Sequence, residues 1–149
     1  MSVNELDKQI IRYLEEDSRM SLRNIAKELG VSPTTVSNRV QKLKKEGVIN
    51  KFCIKLNLAE LGYGLTAVIK IKAKGDNISE VVGKLTEYDH LTHIYETTGD
   101  FDILAIGKFQ DREEINEEIK HLLHNQIIDE TNTSVVLSTI KEYENSGLI

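Results

Sequence analysis

The chain has 149 residues, of which 40% are hydrophobic and 29% charged, an ordinary balance for a globular protein. Its one cysteine, Cys53, excludes an intrachain disulfide and a cysteine-based zinc site. The sequence shows no signal peptide and no apolar run near the ~18 residues of a membrane-spanning helix. We therefore expect a cytoplasmic protein of one or two small domains.

The net charge of −5 is divided unevenly along the chain. Residues 1–57 contain 11 Lys and Arg against 7 Asp and Glu, a net charge of +4. Residues 58–149 contain 8 against 17, a net charge of −9. This asymmetry is typical of a basic DNA-binding domain joined to an acidic domain. The phosphates of DNA would repel the acidic domain, which helps to orient the protein on DNA.

Two helices are predicted before residue 30. The first begins after the N-cap Asn4 and ends near Asp17, and its apolar stripe consists of Leu6, Ile10, Ile11 and Leu14. The second begins after the N-cap Ser21 and ends before Gly30, where a left-handed residue is favoured. Its apolar positions recur at helical spacing and are Leu22, Ile25, Ala26 and Leu29.

A third helix is predicted between Ser32, its N-cap, and Gly47, which follows its end. Pro33 stands at the first helical position, where no backbone N–H is needed. The predicted buried stripe is Val36, Val40 and Leu43. Two helices joined by a glycine-containing turn are typical of the helix-turn-helix motif, whose second helix enters the major groove of DNA.

The outward face of the third helix supports that interpretation. Its centre consists of Thr34, Asn38, Gln41 and Lys45, with Thr35, Ser37 and Lys42 at its flanks and Arg39 at the edge of the apolar stripe. No Asp or Glu occurs between Val31 and Lys45. Amides, hydroxyls and cations suit base edges and phosphates, whereas a solvated helix usually carries both signs of charge. The alternative is a polar amphipathic helix in an ordinary bundle.

The chain after Gly47 changes character. Phe52, Ile54 and Leu56 alternate with Cys53 and Lys55, which is strand periodicity. We interpret residues 51–64 as a wing and linker.

From residue 65 the pattern predicts the order β-α-β-β-α-β, the ferredoxin-like arrangement. The strands are predicted at 65–73, 91–97 and 101–109, and at 127–128 together with 133–140. The two helices follow Asn77 and the capping-box-like pair Asp111 and Glu114. The predicted fold class is α+β, with a winged-helix-like helix-turn-helix domain (1–50) and a ferredoxin-like ligand-sensing and dimerisation domain (65–149). The tail 141–149 is expected to be loosely held.

The predicted sheet has apolar residues on both faces of its first, third and fourth strands. Two helices cover only one face, so a monomer would expose a large apolar patch. We therefore expect a homodimer that forms through the sheets.

Two stretches of the chain resemble the Lrp/AsnC family of bacterial and archaeal transcription regulators. They are LDKQIIRYLEEDSRMSLRNIAKELGVSPTTVSNRVQKLKKEGVI at residues 6–49 and TGDFDILAIGKF at residues 98–109. The resemblance implies a DNA-binding regulator without enzymatic activity or cofactor. It also implies dimers that assemble into tetramers or octamers, and a small-molecule effector, usually an amino acid, bound where dimers meet.

The resemblance also implies which residues bind. For DNA these are Thr34, Thr35, Ser37, Asn38, Arg39, Gln41 and Lys42; with Ser32 at the start of the helix and Lys45 on its outward face they form the predicted DNA-binding set. The effector-binding set is Gly99, Asp100, Phe101, Asp102, Thr131, Thr133 and Ser134. Carboxylates can accept the ammonium of an amino acid, while hydroxyls and N–H groups can donate to its carboxylate. The alternative for Gly99 and Asp100 is a strand-connecting turn with an Asx bond.

The sequence disfavours two other functions and a metal site. Sirohaem decarboxylases share this fold but carry an arginine- and histidine-rich segment, whereas residues 98–112 contain no His and only Arg112. The net charge of +4 in residues 1–57 and the acid-free third helix argue against a metabolite-sensing module that binds protein in place of DNA. His121 and His124 lack a ligand partner at suitable spacing, so no metal is predicted. His90 and His93 are expected to be exposed and neutral.

Overall fold

The computed structural model describes residues 3–142, so most of the predicted tail lies outside the described residues. It divides into two compact units. The first contains the described part of Met1–Lys55 with Lys141 and Glu142, and the second is Leu56–Ile140. Within residues 3–142, no helix combines the length and apolar character needed to cross a membrane.

The first unit contains three helices, α1 (Glu5–Glu16), α2 (Leu22–Glu28) and α3 (Pro33–Lys45). Their predicted N-caps are confirmed, with Ser21 capping α2 and Ser32 capping α3. Helix α1 begins in a full capping box. Asn4 Oδ1 accepts the Asp7 N–H at 2.8 Å, and Asp7 Oδ2 accepts the Asn4 N–H at 3.1 Å. Each bond satisfies a backbone donor that has no partner inside the helix.

Glycines end α2 and α3, as the sequence predicts. Gly30 and Gly47 have φ values of 65° and 73°, a left-handed conformation that glycine adopts without a steric penalty. The next N–H in each case, that of Val31 or Val48, turns back to a carbonyl of the last helical turn at 3.0 and 2.9 Å. Both ends are Schellman motifs, which stop the helix at a fixed residue.

The three helices pack around one apolar cluster. Each contributes two residues, and the buried members are Ile10, Leu14, Ile25, Ala26, Val36 and Val40. The predicted stripe of α3 is therefore confirmed as its inward face, with Leu43 also buried.

The strand predicted after α3 is not formed. Residues 51–57 carry no strand pairing, and Phe52, Ile54 and Leu56 are 46%, 79% and 52% exposed. A strand needs a neighbour with which to exchange backbone hydrogen bonds, and none of the described strands pairs with this segment. Alternation of apolar and polar residues is therefore not sufficient to form a strand here.

The second unit is a four-stranded antiparallel sheet in the order β2-β3-β1-β4 with two helices, as the ferredoxin-like prediction requires. The strands are β1 (Leu65–Ala73), β2 (Leu91–Glu96), β3 (Ile103–Phe109) and β4 (Ile128–Val135), and the helices are α4 (Ile78–Leu85) and α5 (Arg112–Leu123).

One face of this sheet holds the core of the second unit. Alternate residues of β1 and β3 are fully buried, and they pack with residues of α4 and α5 that include Val81, Leu85, Ile115 and Leu122. Inside β3, the ring of Phe109 covers Gly107. A Cβ at Gly107 would lie 2.5 Å from the ring, so the core requires glycine there.

The predicted position of β4 is wrong. The strand runs from Ile128 to Val135, whereas Leu137 and Ile140 are 100% and 91% exposed. Its partner β1 limits its length, because Val135 already pairs with Ala67 near the start of β1. The polar residues at 129–132 are tolerated because β4 is an edge strand.

The prediction of apolar residues on both faces of β4 is also wrong. On the face away from the helices, β4 places Glu130, Asn132 and Ser134 beside Lys72, Lys70 and Val68 of β1. The apolar residues on this open face come from the other strands and are Val68, Tyr95, Leu104 and Ile106. The apolar patch is therefore smaller than the sequence predicts.

The start of α5 differs from the predicted capping box and involves a histidine. Asp111 caps the helix by accepting the Glu114 N–H at 2.9 Å, but the Glu114 carboxylate accepts the N–H of Gln110. Glu114 also lies 3.3 Å from Nε2 of His90, whose ring stacks on Phe109 at 5.7 Å. His90 is thus half-buried and paired, not exposed, whereas His93 is exposed.

Helix α5 carries a buried acid, Glu118, which is 7% exposed. Its Oε1 has no hydrogen-bond partner among the described residues. Burial raises the pKa of Glu118 above its ordinary 4.5; His90 and His121 partly oppose this shift, and Glu114 adds to it. Burial also raises the pKa of Tyr88, and the negative charge of Glu118 adds to that shift.

These contacts predict that protonation of Glu118 stabilises the fold. The stabilisation is complete below the unfolded-state pKa and is lost as the pH rises through the raised pKa. We expect Glu118→Gln to raise Tm near pH 7 by a few degrees, since about 1 kcal/mol shifts Tm by roughly 4–8 °C in a domain of this size. Near pH 4 the variant and the wild type should melt together.

Thermal unfolding between about pH 4 and pH 8 measures this effect. Glu117→Gln, at the exposed neighbouring position, is the matched control and should leave the pH profile unchanged. A Glu118→Gln variant that melts lower than the wild type near pH 7 would contradict the prediction.

Candidate DNA-binding helix and effector loop

Helix α3 presents one exposed polar face. Its central residues, Thr34, Asn38, Gln41 and Lys45, are all exposed, and Lys42 beside them is exposed as well. Thr35, Ser37 and Arg39 are half-buried. Burial of the opposite stripe fixes this orientation, so the side chains predicted to read bases point away from the core.

Four members of the predicted DNA-binding set already have partners, in three contacts. The hydroxyl of Ser32 accepts the Thr35 N–H at 3.1 Å and lies 2.8 Å from the Thr35 hydroxyl, so these two groups serve the cap of α3. Lys42 lies 3.8 Å from Glu46, an exposed pair of small energetic weight. Arg39 forms the third contact, which reaches across to α1.

The partner of Arg39 is Asp7, which the sequence analysis did not select. Nη1 of Arg39 lies 3.7 Å from Oδ2 of Asp7, and the Asp7 side chain is only 4% exposed. A signal existed in the sequence: Asp7 precedes Ile10 and Ile11 by three and four positions, so it lies on the apolar face of α1. An acid at such a position needs a partner.

The predicted effector loop joins β2 to β3. Gly99 has a φ of 116°, and both Gly99 and Asp100 are exposed. Asp102 is half-buried and bound to the sheet: its Oδ2 accepts the Ala73 N–H at 2.8 Å, and its own N–H donates to the Ile71 carbonyl at 3.1 Å. Its carboxylate therefore caps the end of β1.

Only one of the three predicted β4 residues lies at the same end of the sheet as this loop. Thr131 pairs with Ile71, the residue whose carbonyl accepts the Asp102 N–H. Thr133 lies two residues further along the same face, and its buried hydroxyl has no hydrogen-bond partner within residues 3–142. Ser134 lies on the opposite face of the sheet, beside Val68.

The described residues contain no group of three or more His, Cys, Asp or Glu side chains that could hold a metal ion. His124 follows the last residue of α5, and its Nδ1 lies 2.6 Å from the Lys120 carbonyl of that helix.

Comparison with known proteins agrees with both units. Residues 3–50 match the winged helix-turn-helix DNA-binding family, and residues 66–146 match the Lrp/AsnC ligand binding domain. The chain belongs to the Lrp/AsnC family. It is therefore a DNA-binding regulator of the helix-turn-helix class.

Similar proteins match the Lrp/AsnC chain over nearly its full length. An HTH-type transcriptional regulator of Pyrococcus furiosus is 44% identical, with 95% of this chain and 96% of the relative covered. The structure of AsnC from E. coli has a TM-score of 0.86 at 28% identity, covering 96% and 97% of the two chains. A regulator from Neisseria meningitidis, solved as an L-Met complex, has a TM-score of 0.89 at 20% identity, covering 95% and 94%.

The two aspartates of the loop are expected to differ in their effect on stability. Asp102→Ala removes the acceptor of a backbone N–H and should lower the unfolding free energy by about 1–3 kcal/mol. Asp100→Ala, two residues away and exposed, is the matched control and should change it by less than about 0.5 kcal/mol. Urea denaturation of both variants measures the difference, and equal stabilities would show that the bond to Ala73 carries no weight.

Proposed function

We propose that this Lrp/AsnC regulator reads its operator with the exposed face of α3 and that a free amino acid modulates the binding. The observation that supports the first part is the acid-free polar face opposite a fully buried stripe. Asn and Gln pair with adenine through two hydrogen bonds, and Lys contacts phosphates. We assign base reading to Asn38 and Gln41, and phosphate binding to Lys42 and Lys45.

The remaining members of the set take lesser roles. The exposed Thr34 and the half-buried Ser37 lie beside Asn38 and can donate to phosphates or bases. Ser32 and Thr35 form the cap of α3. Because their hydroxyls are hydrogen-bonded to each other, we give them a minor part in DNA binding. We also propose domain limits of 1–50 and 65–149, with 51–64 between them.

Base readers and phosphate contacts are expected to respond differently to substitution. Asn38→Ala should reduce the preference for an operator over a scrambled duplex by about 1–3 kcal/mol. Lys45→Met should weaken binding to both duplexes equally and reduce the magnitude of the salt slope by about 0.9. Fluorescence anisotropy at several salt concentrations separates the two. An Asn38→Ala variant with unchanged preference would contradict the placement of α3 in the groove.

The proposed amino-acid effector is supported by the loop and by the relative from Neisseria meningitidis that was solved with L-Met. Asp102 is engaged by the Ala73 N–H, so Asp100 is the better candidate to accept the effector ammonium. The Thr131 hydroxyl, at the same end of the sheet, is the candidate donor to its carboxylate. Gly99 and Phe101, in the same loop, would line the effector pocket. Thr133 and Ser134 would lie further from the bound amino acid.

Assembly gives such an effector its means of action. A dimer that covers the open face of the sheet would bury Val68, Tyr95, Leu104 and Ile106, and larger assemblies would bring effector loops together. A ligand shifts an equilibrium only as far as its affinities for the two states differ. We therefore propose that the amino acid favours one assembly and so changes the spacing of the helix pairs on DNA. The proposal includes no enzymatic step; the named relatives are regulators.

Two measurements test the effector together with the assembly. Titration calorimetry with each of the twenty amino acids should detect heat with the wild type, and the active amino acid should change its sedimentation. Asp100→Ala should lose both responses while retaining DNA binding in the absence of ligand. Asp100→Asn, which keeps the side-chain volume, should lose most of the affinity. If Asp100→Ala gave the same heat of binding as the wild type, the effector would bind at a site other than this loop.

A further inference from the structure

Arg39 of α3 forms an ion pair with Asp7 of α1. Arg39 is the cation of the predicted DNA-binding set that is paired with a buried acid, and its side chain is 33% exposed. The Asp7 side chain is 4% exposed, and its Oδ2 also accepts the Asn4 N–H at 3.1 Å. Its Oδ1 is buried and has no hydrogen-bond partner among the described residues.

Burial makes this pair difficult to separate. A carboxylate removed from water is unfavourable unless a cation and hydrogen bonds compensate it, and breaking such a pair leaves an uncompensated charge inside the protein. An Arg39 side chain turned outward to a DNA phosphate would leave Asp7 in that state. The guanidinium therefore has reason to stay on α1 when DNA is bound.

We propose that Asp7 is a positioning residue for DNA recognition, which acts by holding Arg39 against the start of α1. In this role Arg39 ties α1 to α3 and is not a phosphate contact, contrary to the role that the family resemblance implies for it. The inference rests on the proposed placement of α3 in the major groove.

The physical reason for such a tie lies in the nature of the core. Apolar packing of Val36 and Val40 is non-directional and allows small rotations of α3 at little cost in free energy. The ion pair between Arg39 and the capped carboxylate of Asp7 adds a contact at one defined point between α1 and α3, and it opposes rotations that would lengthen the 3.7 Å separation. Arg39 is adjacent in sequence to Asn38, so the tie limits the rotation of the side chain assigned to base reading.

The salt dependence of binding distinguishes a tie from a phosphate contact. The test uses full-length chain and a duplex that the wild type selects from a random library. Arg39→Met should weaken binding but leave the slope of log Kobs against log salt concentration unchanged. Lys45→Met is the matched control, since it also replaces one cation of α3 with methionine, and it should reduce the slope by about 0.9. A slope reduced equally by Arg39→Met would overturn the proposal.

A double-mutant cycle shows whether Asp7 acts through Arg39. Asp7→Asn retains an oxygen for the Asn4 N–H and should reduce the preference for the selected duplex over a scrambled one by about tenfold, within the range of coupled neighbours. In the Arg39→Met background, the same change should have almost no further effect. Additive losses would overturn the proposal.

Further measurements separate this role from loss of fold. Asn4→Ala breaks the other side of the capping box, so it should lower Tm while retaining the preference for the selected duplex. A loss of preference with Asn4→Ala as large as with Asp7→Asn would mean that the cap of α1 matters, not the ion pair, and would overturn the proposal. If the wild type selected no duplex at all, the proposed function itself would fail.

Discussion

Burial of the apolar stripe of α3 is the constraint on which the DNA-binding unit depends. Val36 and Val40 share one cluster with residues of α1 and α2, so the helix has a single favourable orientation. Helix ends fixed by serine caps and by left-handed glycines prevent it from sliding along that cluster. The amides, hydroxyls and lysines opposite the stripe then face outward as a consequence of packing.

The same physics sorts the acids of the chain into different roles. Asp7 and Glu118 are both buried, and each has one oxygen without a hydrogen-bond partner among the described residues, but the other oxygen of Asp7 contacts a cation and a backbone N–H. Asp7 thereby contacts another helix, while burial raises the pKa of Glu118. Of the two aspartates in the loop between β2 and β3, one supports the sheet and the other faces solvent. A motif that names both aspartates does not show that difference.

Two features of the described residues place apolar side chains at the surface. The segment 51–57 has strand alternation without a strand partner, and the open face of the sheet combines apolar residues with the lysines of β1. Exposed apolar area favours association with another surface. A regulator that assembles through such features can respond to a small ligand, because a small difference in affinity between assemblies changes where its DNA-binding units lie.

Most of the local structure could be predicted from the sequence. Caps, glycine stops and hydrophobic periodicity depend on near neighbours, so the three first helices, the topology of the sheet and the polar face of α3 were all predicted correctly. Contacts between distant residues could not be obtained in this way. The partner of β4 decides where that strand ends, and the sheet register decides that Ser134 and Thr131 lie on opposite faces. Only tertiary structure shows the ion pair of Arg39 with Asp7 and the hydrogen bond of Asp102 at the end of β1. The reason is distance along the chain: the partners are 32 positions apart in the first contact and 29 in the second.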